Sequence, residues 1–319
     1  MVFIFLDGVG IGKADDANPF FTTRARFLPF YEGNSGLPDG TPVKGIDATL
    51  GVDGIPQSAT GQTTLFTGRN VPALIGEHRG SYPNKVMRKF ISEHNVLKRL
   101  NQSDLKARFI NAYPKHAELF SAPNIEMDDE GGLYFSEKFP EPFKRRISVT
   151  STMLLANRTV PFDEKDVLAK RSLFQDYSNK YLVERGLHLP EYSPETAGEI
   201  LFKVSRDYDF ILYEYFQTDI FAHRRGFAES CELIAKLDRL LGTLISHLQK
   251  DRDTLLLTSD HGNLEDYSTR AHTLNPVPLL AWGVGAESLR TVISCIGDVT
   301  PAILDYFAKK SCPDTTELV

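Results

Sequence analysis

Val2-Phe3-Ile4-Phe5-Leu6-Asp7-Gly8 is the stretch on which the fold turns. Its apolar run is short, uniform and without alternation, so it reads as a strand buried on both faces, of the kind that parallel sheets use. The run stops at an acid and a glycine, which sets a carboxylate just beyond the end of the strand. Three later runs repeat the pattern. Phe210–Tyr215 lies ahead of Asp219, Thr254–Thr258 leads into Ser259-Asp260-His261, and Val277–Trp282 comes just after His272. Between the first two of these, Leu233, Leu237, Leu240, Leu241, Leu244 and Leu248 fall on one face at helical spacing and predict a helix from Phe227 to about Gln249. Ser193-Pro194 opens another helix, with Ser as cap and Pro at the first position, and Thr300-Pro301 opens a third that runs to about Lys309. Strands alternating with helices give an α/β fold with a mostly parallel central sheet flanked by helices. Ligands of such folds sit at the C-terminal ends of the strands.

The middle of the chain breaks this rhythm. Between residues 78 and 189 lie Ser121-Ala122-Pro123-Asn124 and Pro140-Glu141-Pro142, which read as loops, and Asp128-Asp129-Glu130-Gly131-Gly132, which reads as a hairpin or surface loop. The expected organisation is a catalytic core of residues 1–77 and 190–319 with a smaller inserted cap domain, 78–189. Residues 106–112 are the part of the insert that the core sheet can also claim.

A length of 319 residues suits a core domain that carries such an insert. The formal net charge of −6 comes without a basic cluster beyond Lys144-Arg145-Arg146, which argues against nucleic acid as a partner. Cys231, Cys295 and Cys312 are odd in number and widely spaced, so they are expected to be reduced thiols rather than a disulfide framework. The N-terminal apolar run is short and has no basic residues before it, and no apolar stretch approaches the roughly 20 residues of a membrane span. The expected location is the cytoplasm, with no membrane partner.

Six ionisable residues lie at or just beyond strand ends: Asp7, Asp219, His223, Asp260, His261 and His272. Taken singly, each is an ordinary turn, cap or core residue. Taken together, three carboxylates and three imidazoles are a natural ligand set for two divalent ions such as Zn²⁺ or Mn²⁺. The segment Gln57-Ser58-Ala59-Thr60-Gly61-Gln62-Thr63-Thr64 has the small residues and glycine of a tight entry into a helix, where backbone N–H groups face an anion. A hydroxyl there is either a helix cap or, beside metal ions, a nucleophile toward phosphorus.

These segments resemble the alkaline phosphatase superfamily, and within it the branch of cofactor-independent phosphoglycerate mutase and phosphopentomutase. The resemblance rests on Leu6-Asp7-Gly8-Val9-Gly10-Ile11-Gly12, Ser58-Ala59-Thr60-Gly61, Ser259-Asp260-His261-Gly262-Asn263, Ala271-His272-Thr273-Leu274-Asn275-Pro276-Val277-Pro278 and the late Gly297-Asp298-Val299-Thr300-Pro301. It covers roughly residues 1–75 and 195–310. It implies Ser58, not Thr60, as the nucleophile. It also implies one metal on Asp219, His223 and His272, and a second on Asp7, Ser58, Asp260 and His261. Both mutases follow the turn glycine with His, where this chain has Gln62.

The expected activity is therefore two-metal phosphoryl transfer or phosphate-ester hydrolysis on a small phosphorylated substrate, through a phosphoserine at Ser58. The alternative is a phosphomutase acting on a phosphosugar or a phosphoglycerate-like compound. Less weight goes to a sulfatase, a phosphonate hydrolase or a non-catalytic metal-binding protein. Asn111, His78, Arg158 and Arg224 are the candidate substrate contacts. The small insert, without a cluster of anion-binding arginines, favours hydrolysis over mutase chemistry, because a mutase must seal its phosphoserine from water.

Overall fold

The computed structural model describes residues 1–311 and places the opening apolar run, β1 (Val2–Leu6), inside a six-stranded sheet. The remaining strands of the chain are β2 (Val43–Ile46), β3 (Ala107–Phe109), β4 (Ile125–Met127), β5 (Leu133–Phe135), β6 (Phe210–Tyr215), β7 (Thr254–Thr258) and β8 (Val277–Gly283). The main sheet runs in the order β2-β8-β7-β1-β6-β3. β1 is parallel to both β6 and β7, and β6 is parallel to β3. In register, Leu6 lies opposite Tyr215 and Phe5 opposite Thr258, so the residues that follow these three strands emerge at one edge. The fold is α/β with a mainly parallel central sheet.

β8 runs antiparallel to β7, and β2 antiparallel to β8. The reason lies in the connection. A parallel neighbour needs a crossover, usually a helix, whereas the link from β7 to β8 contains no helix and turns back at the edge where β7 ended. That reversal brings His272, just ahead of β8, to the same edge as Asp260 and His261.

β1, β6 and β7 are buried throughout, and their alternate side chains enter two cores. Val2, Ile4, Leu6, Ile211, Tyr213 and Leu255 pack on one face with Ile200, Leu201, Leu237, Leu241 and Leu244. The last five belong to the helices Pro194–Val204 and Phe227–His247, the first of them capped by the Ser193 hydroxyl on the Thr196 N–H. Phe3, Phe5, Phe210 and Leu212 pack on the other face with Leu65, Phe66, Ile303 and Phe307. Each such buried side chain contributes about 1.5–3 kcal/mol of transfer free energy. Phe5 and Phe66 add an edge-to-face contact with centroids 5.3 Å apart.

Within residues 78–189 the packing is mixed. The helices Lys85–His94 and Val96–Asn101 and strand β3 send Ile91, Val96, Leu97, Leu100 and Phe109 into the core that holds Phe3. β4 and β5 form a separate antiparallel hairpin across the acidic glycine turn, over a small core of Ile125, Phe139 and Ile147. The helix Val149–Ala156 links the two regions, since its Val149, Met153 and Leu154 belong to the core of Phe3 and its Leu155 packs against the core of Ile125. Cys231 and Cys295 are free thiols, and Cys312 lies outside the described residues. Among the described residues, no helix is long and apolar enough to cross a membrane.

Candidate metal centre

The polar groups gather where β1, β6 and β7 end. Asp7 follows β1, and the next residue, Gly8, has φ +66°. A Cβ on Gly8 would stand 2.6 Å from Asp219 Oδ1, so glycine lets the first turn pass against the helix Gln217–Arg224. The Thr218 hydroxyl donates to the carbonyls of Asp7 and Tyr215 and ties the two strand ends together. Asp219 and His223 stand one helical turn apart on Gln217–Arg224 and project to the same side. Ser58 is the first residue of the helix Ser58–Thr67, whose other residues are all buried. Gly61 of that helix leaves room for Asp260, whose carbonyl oxygen would lie 2.9 Å from a Cβ there.

Two clusters result. Asp7, Asp260 and His261 form one and Asp219, His223 and His272 the other, with ligand atoms within 4.8 Å of one another in each. In the first, His261 Nε2 lies 3.3 Å from Asp7 Oδ1, 3.6 Å from Asp260 Oδ2 and 3.0 Å from Ser58 Oγ. In the second, Asp219 Oδ1 lies 3.4 Å from His223 Nε2 and 3.5 Å from His272 Nε2. The rings of His261 and His272 stack at 3.8 Å between centroids and join the clusters. The structure therefore brings Asp7, Ser58, Asp219, His223, Asp260, His261 and His272 into one site.

Asp7 Oδ1 and Asp260 Oδ2 are buried and have no hydrogen-bond partner. Orphan carboxylate oxygens in a closed site are costly unless a cation meets them. Both face His261 Nε2, so the donor set and its unmet oxygens fit a divalent ion. The electrostatics agree. Burial, and then the neighbouring Asp260, push Asp7 well above the usual carboxylate range. Burial also pushes Asp260 up, against the opposing pull of His261. For His261, burial favours the neutral ring, but Asp260 and Asp7 outweigh it and hold the imidazole up at about 10. A protonated His261 thus supplies the positive charge that the two acids need when no ion is bound. Burial and the His261 charge lower His272 to about 4, leaving it neutral. Burial opposes ionisation of Asp219 too, yet hydrogen bonds from His223 and Asn263 and the charge of His261 hold it down at about 2.

Several residues that the sequence did not mark as candidate site residues support these groups. Glu265 is buried and accepts from the Gly10 and Asn263 N–H groups at 2.7 and 2.8 Å, from the Asn275 amide at 3.0 Å and from the Thr273 hydroxyl. It locks together the loops that carry Asp7, His261 and His272. Asn263 donates to Asp219 Oδ1 at 2.7 Å, and the Gln62 amide donates to Asp7 Oδ2 at 3.2 Å. Pro56 O receives His272 Nδ1 at 2.9 Å, which leaves Nε2 for the site. Glu214 lies inside β6 with its carboxylate on the Thr150 hydroxyl at 2.8 Å, and burial raises it to about 7. Glu214 carried a signal, since an acid inside an otherwise apolar run needs a reason. Glu265 carried little, because nothing in its spacing separates it from a surface acid.

The four expected substrate contacts are dispersed. The Asn111 amide is committed to the main chain of Glu214, donating to its carbonyl at 2.7 Å and accepting its N–H at 2.9 Å. His78 Nε2 faces the Thr49 and Val52 carbonyls, each at 3.2 Å, in the wall of a cavity beside Gln57. Arg158 is exposed past the end of the helix Val149–Ala156. Arg224 is exposed and follows His223 directly.

Comparison with known proteins adds a family. The model of the metalloenzyme superfamily matches residues 1–310. A 2,3-bisphosphoglycerate-independent phosphoglycerate mutase of Acetivibrio thermocellus is 34% identical over 125 residues, which cover 36% of this chain and 24% of that protein. The match thus spans about a quarter of the length of the curated relative. Among solved structures, the PH0037 protein from Pyrococcus horikoshii is similar with a TM-score of 0.54 at 13% identity, covering 97% of this chain and 96% of the other. An alkaline phosphatase from the Antarctic bacterium TAB5 gives 0.52 at 13% identity, over 95% and 96% of the two chains. At these identities the likeness is one of fold.

Proposed function

Because the chain belongs to the metalloenzyme superfamily, we propose that it is a two-metal enzyme that hydrolyses a small phosphate ester through a phosphoserine on Ser58. The observation that carries this reading is the position of Ser58 Oγ, 3.0 Å from His261 Nε2 and at the start of a helix. Asp7, Asp260 and His261, with Ser58, would hold one ion, and Asp219, His223 and His272 the other. Divalent ions such as Mn²⁺ or Zn²⁺ supply Lewis acidity there, which activates a hydroxyl and neutralises charge on phosphoryl oxygens.

The chain's own residues do the rest. The helix start at Ser58 favours an anion beside its hydroxyl. Attack by Ser58 Oγ forms the new O–P bond as the ester oxygen leaves, and water then cleaves the phosphoserine to inorganic phosphate. The carbonyl of Pro56, through His272 Nδ1, and the amide of Asn263, on Asp219, keep those two side chains aimed at the site. Ser58→Ala is expected to lower turnover of p-nitrophenyl phosphate by about a thousandfold or more. It is expected to cost only about 1 kcal/mol of stability, as other helix-entry changes do. An active Ser58→Ala beside an inactive Thr60→Ala would sink the assignment.

A second reading, phosphomutase chemistry, is favoured by the relative from Acetivibrio thermocellus and its printed activity. Single-turnover transfer from a labelled phosphoserine separates the two. Label released as free phosphate supports hydrolysis, and label returned to a sugar or glycerate hydroxyl supports the mutase.

A further inference from the structure

An open hollow of about 620 Å³ has Gln57, the residue before Ser58, in its wall. Asp53, Ile55, Glu77, His78 and Arg79 also line it. The hollow is open to solvent and has more room than a phosphoryl group needs. It therefore suits the part of an ester that is not transferred. Arg79 is the strong cation of this wall, since the His78 Nε2 already faces two backbone carbonyls.

The anchoring of Arg79 is unusual for an exposed residue. Its carbonyl accepts from the Thr60 N–H at 3.1 Å and the Thr60 hydroxyl at 3.3 Å, and its own N–H meets that hydroxyl at 3.1 Å. Thr60 stands two residues beyond Ser58 on the same helix, so the root of Arg79 is fixed relative to the nucleophile. Its guanidinium is held only lightly. Glu77 lies 3.3 Å away, with both side chains more than half exposed. A surface pair of this kind contributes little, so an incoming anion displaces the glutamate at small cost. Arginine then offers that anion a paired, planar set of donors. The flanking carboxylates of Asp53 and Glu77 disfavour more negative charge than one such group.

We propose that Arg79 is a specificity-determining residue that binds a second anionic group of the substrate, a carboxylate or a phosphate, in the hollow that Gln57 lines. This rests on the phosphate-ester reading of the site. Its consequence is a preference for esters whose remainder is itself charged.

The test compares phenyl phosphate with carboxyphenyl phosphate and phenylene bisphosphate, using Mn²⁺-loaded wild type, Arg79→Gln and Arg79→Lys. Wild type is expected to show a KM at least about tenfold lower for one or both charged esters, the size of one charge-assisted hydrogen bond. Which ester gains tells carboxylate from phosphate. Arg79→Gln is expected to erase the preference by raising the KM for the charged esters to that for phenyl phosphate, and Arg79→Lys to restore part of it. Equal KM values in wild type, or a preference that survives Arg79→Gln, overturn the proposal. Calorimetric titration with phenylphosphonate and carboxyphenylphosphonate reads the same preference without turnover. If no ester is hydrolysed yet the phosphonates differ in an Arg79-dependent way, the hydrolytic reading falls and the role of Arg79 stands.

Discussion

The two clusters of candidate metal ligands differ in how they meet water. Asp7, Asp260 and His261 are buried, Asp260 and His261 completely. In the other half Asp219 is partly buried, His223 is exposed, and only His272 approaches burial. The closed half has two carboxylates and one imidazole, the open half one carboxylate and two imidazoles, and their electrostatics are opposite. Burial raises both acids of the closed half and leaves two oxygens unpartnered, so that half depends on a cation, either the His261 proton or a metal. In the open half, hydrogen bonds from His223 and Asn263 and the charge of His261 outweigh burial and keep Asp219 ionised without any ion. The expectation is that cation binding in the closed half is coupled to folding and that in the open half it is not.

The largest effect that tests this contrast is the loss of each half's exchangeable cation. His261→Ala leaves Asp7 and Asp260 facing each other without a counter-charge. It is expected to cost about 3–5 kcal/mol of unfolding free energy in chelator, the range for breaking a buried ion pair. His223→Ala, at an exposed position, is expected to cost less than about 1 kcal/mol. Denaturant unfolding of both variants in EDTA measures the pair, and equal costs would break the comparison.

A smaller effect concerns Glu214, which shares the burden of the closed half because burial and the nearby Asp260 raise it to about 7, with the Thr150 hydrogen bond opposing. A carboxylate raised in the folded state binds its proton more tightly folded than unfolded. The stability it contributes is therefore present below its unfolded value and lost as pH rises through about 7. At one pKa unit per 1.36 kcal/mol, the loss between pH about 4.5 and 7 is at most about 3 kcal/mol. Glu214→Gln, measured metal-free, should remove this part of the decline. An unchanged slope would show that Glu214 does not titrate with the closed half.

How far the sequence foretold this arrangement depended on local pattern. The four apolar runs showed themselves as strands, and the residues that follow the first three showed themselves as one edge, because the ends of parallel strands converge. The reversed direction of β8 was not legible. It depends on the absence of a helix in the link from Asp260 to Pro276, where loop and crossover have similar composition. Nor was Glu265, whose value comes from donors on three loops that only the tertiary fold assembles. Arg79 was invisible for a related reason, since its link to Thr60 runs through the backbone, which every residue has.

The smallest effect sharpens the contrast from the open side. The Asn263 amide donates to Asp219 Oδ1 at 2.7 Å and reaches His223 Nε2 at 3.1 Å, while its main-chain N–H binds Glu265. Alanine at 263 keeps the main-chain bond, and with it the loop, but frees the Asp219 carboxylate to turn. Partners that orient a metal ligand are typically worth 10–100-fold in metal affinity, about 1.4–2.7 kcal/mol. Because neither amide contact reaches Asp7, Asp260 or His261, that loss should fall on one metal equivalent alone. Titration of metal-free Asn263→Ala with Mn²⁺ should then show a tight equivalent at the wild-type affinity and a second weakened by that factor. If both equivalents weaken together, the halves are one cooperative site, and the difference in burial between them has no counterpart in binding.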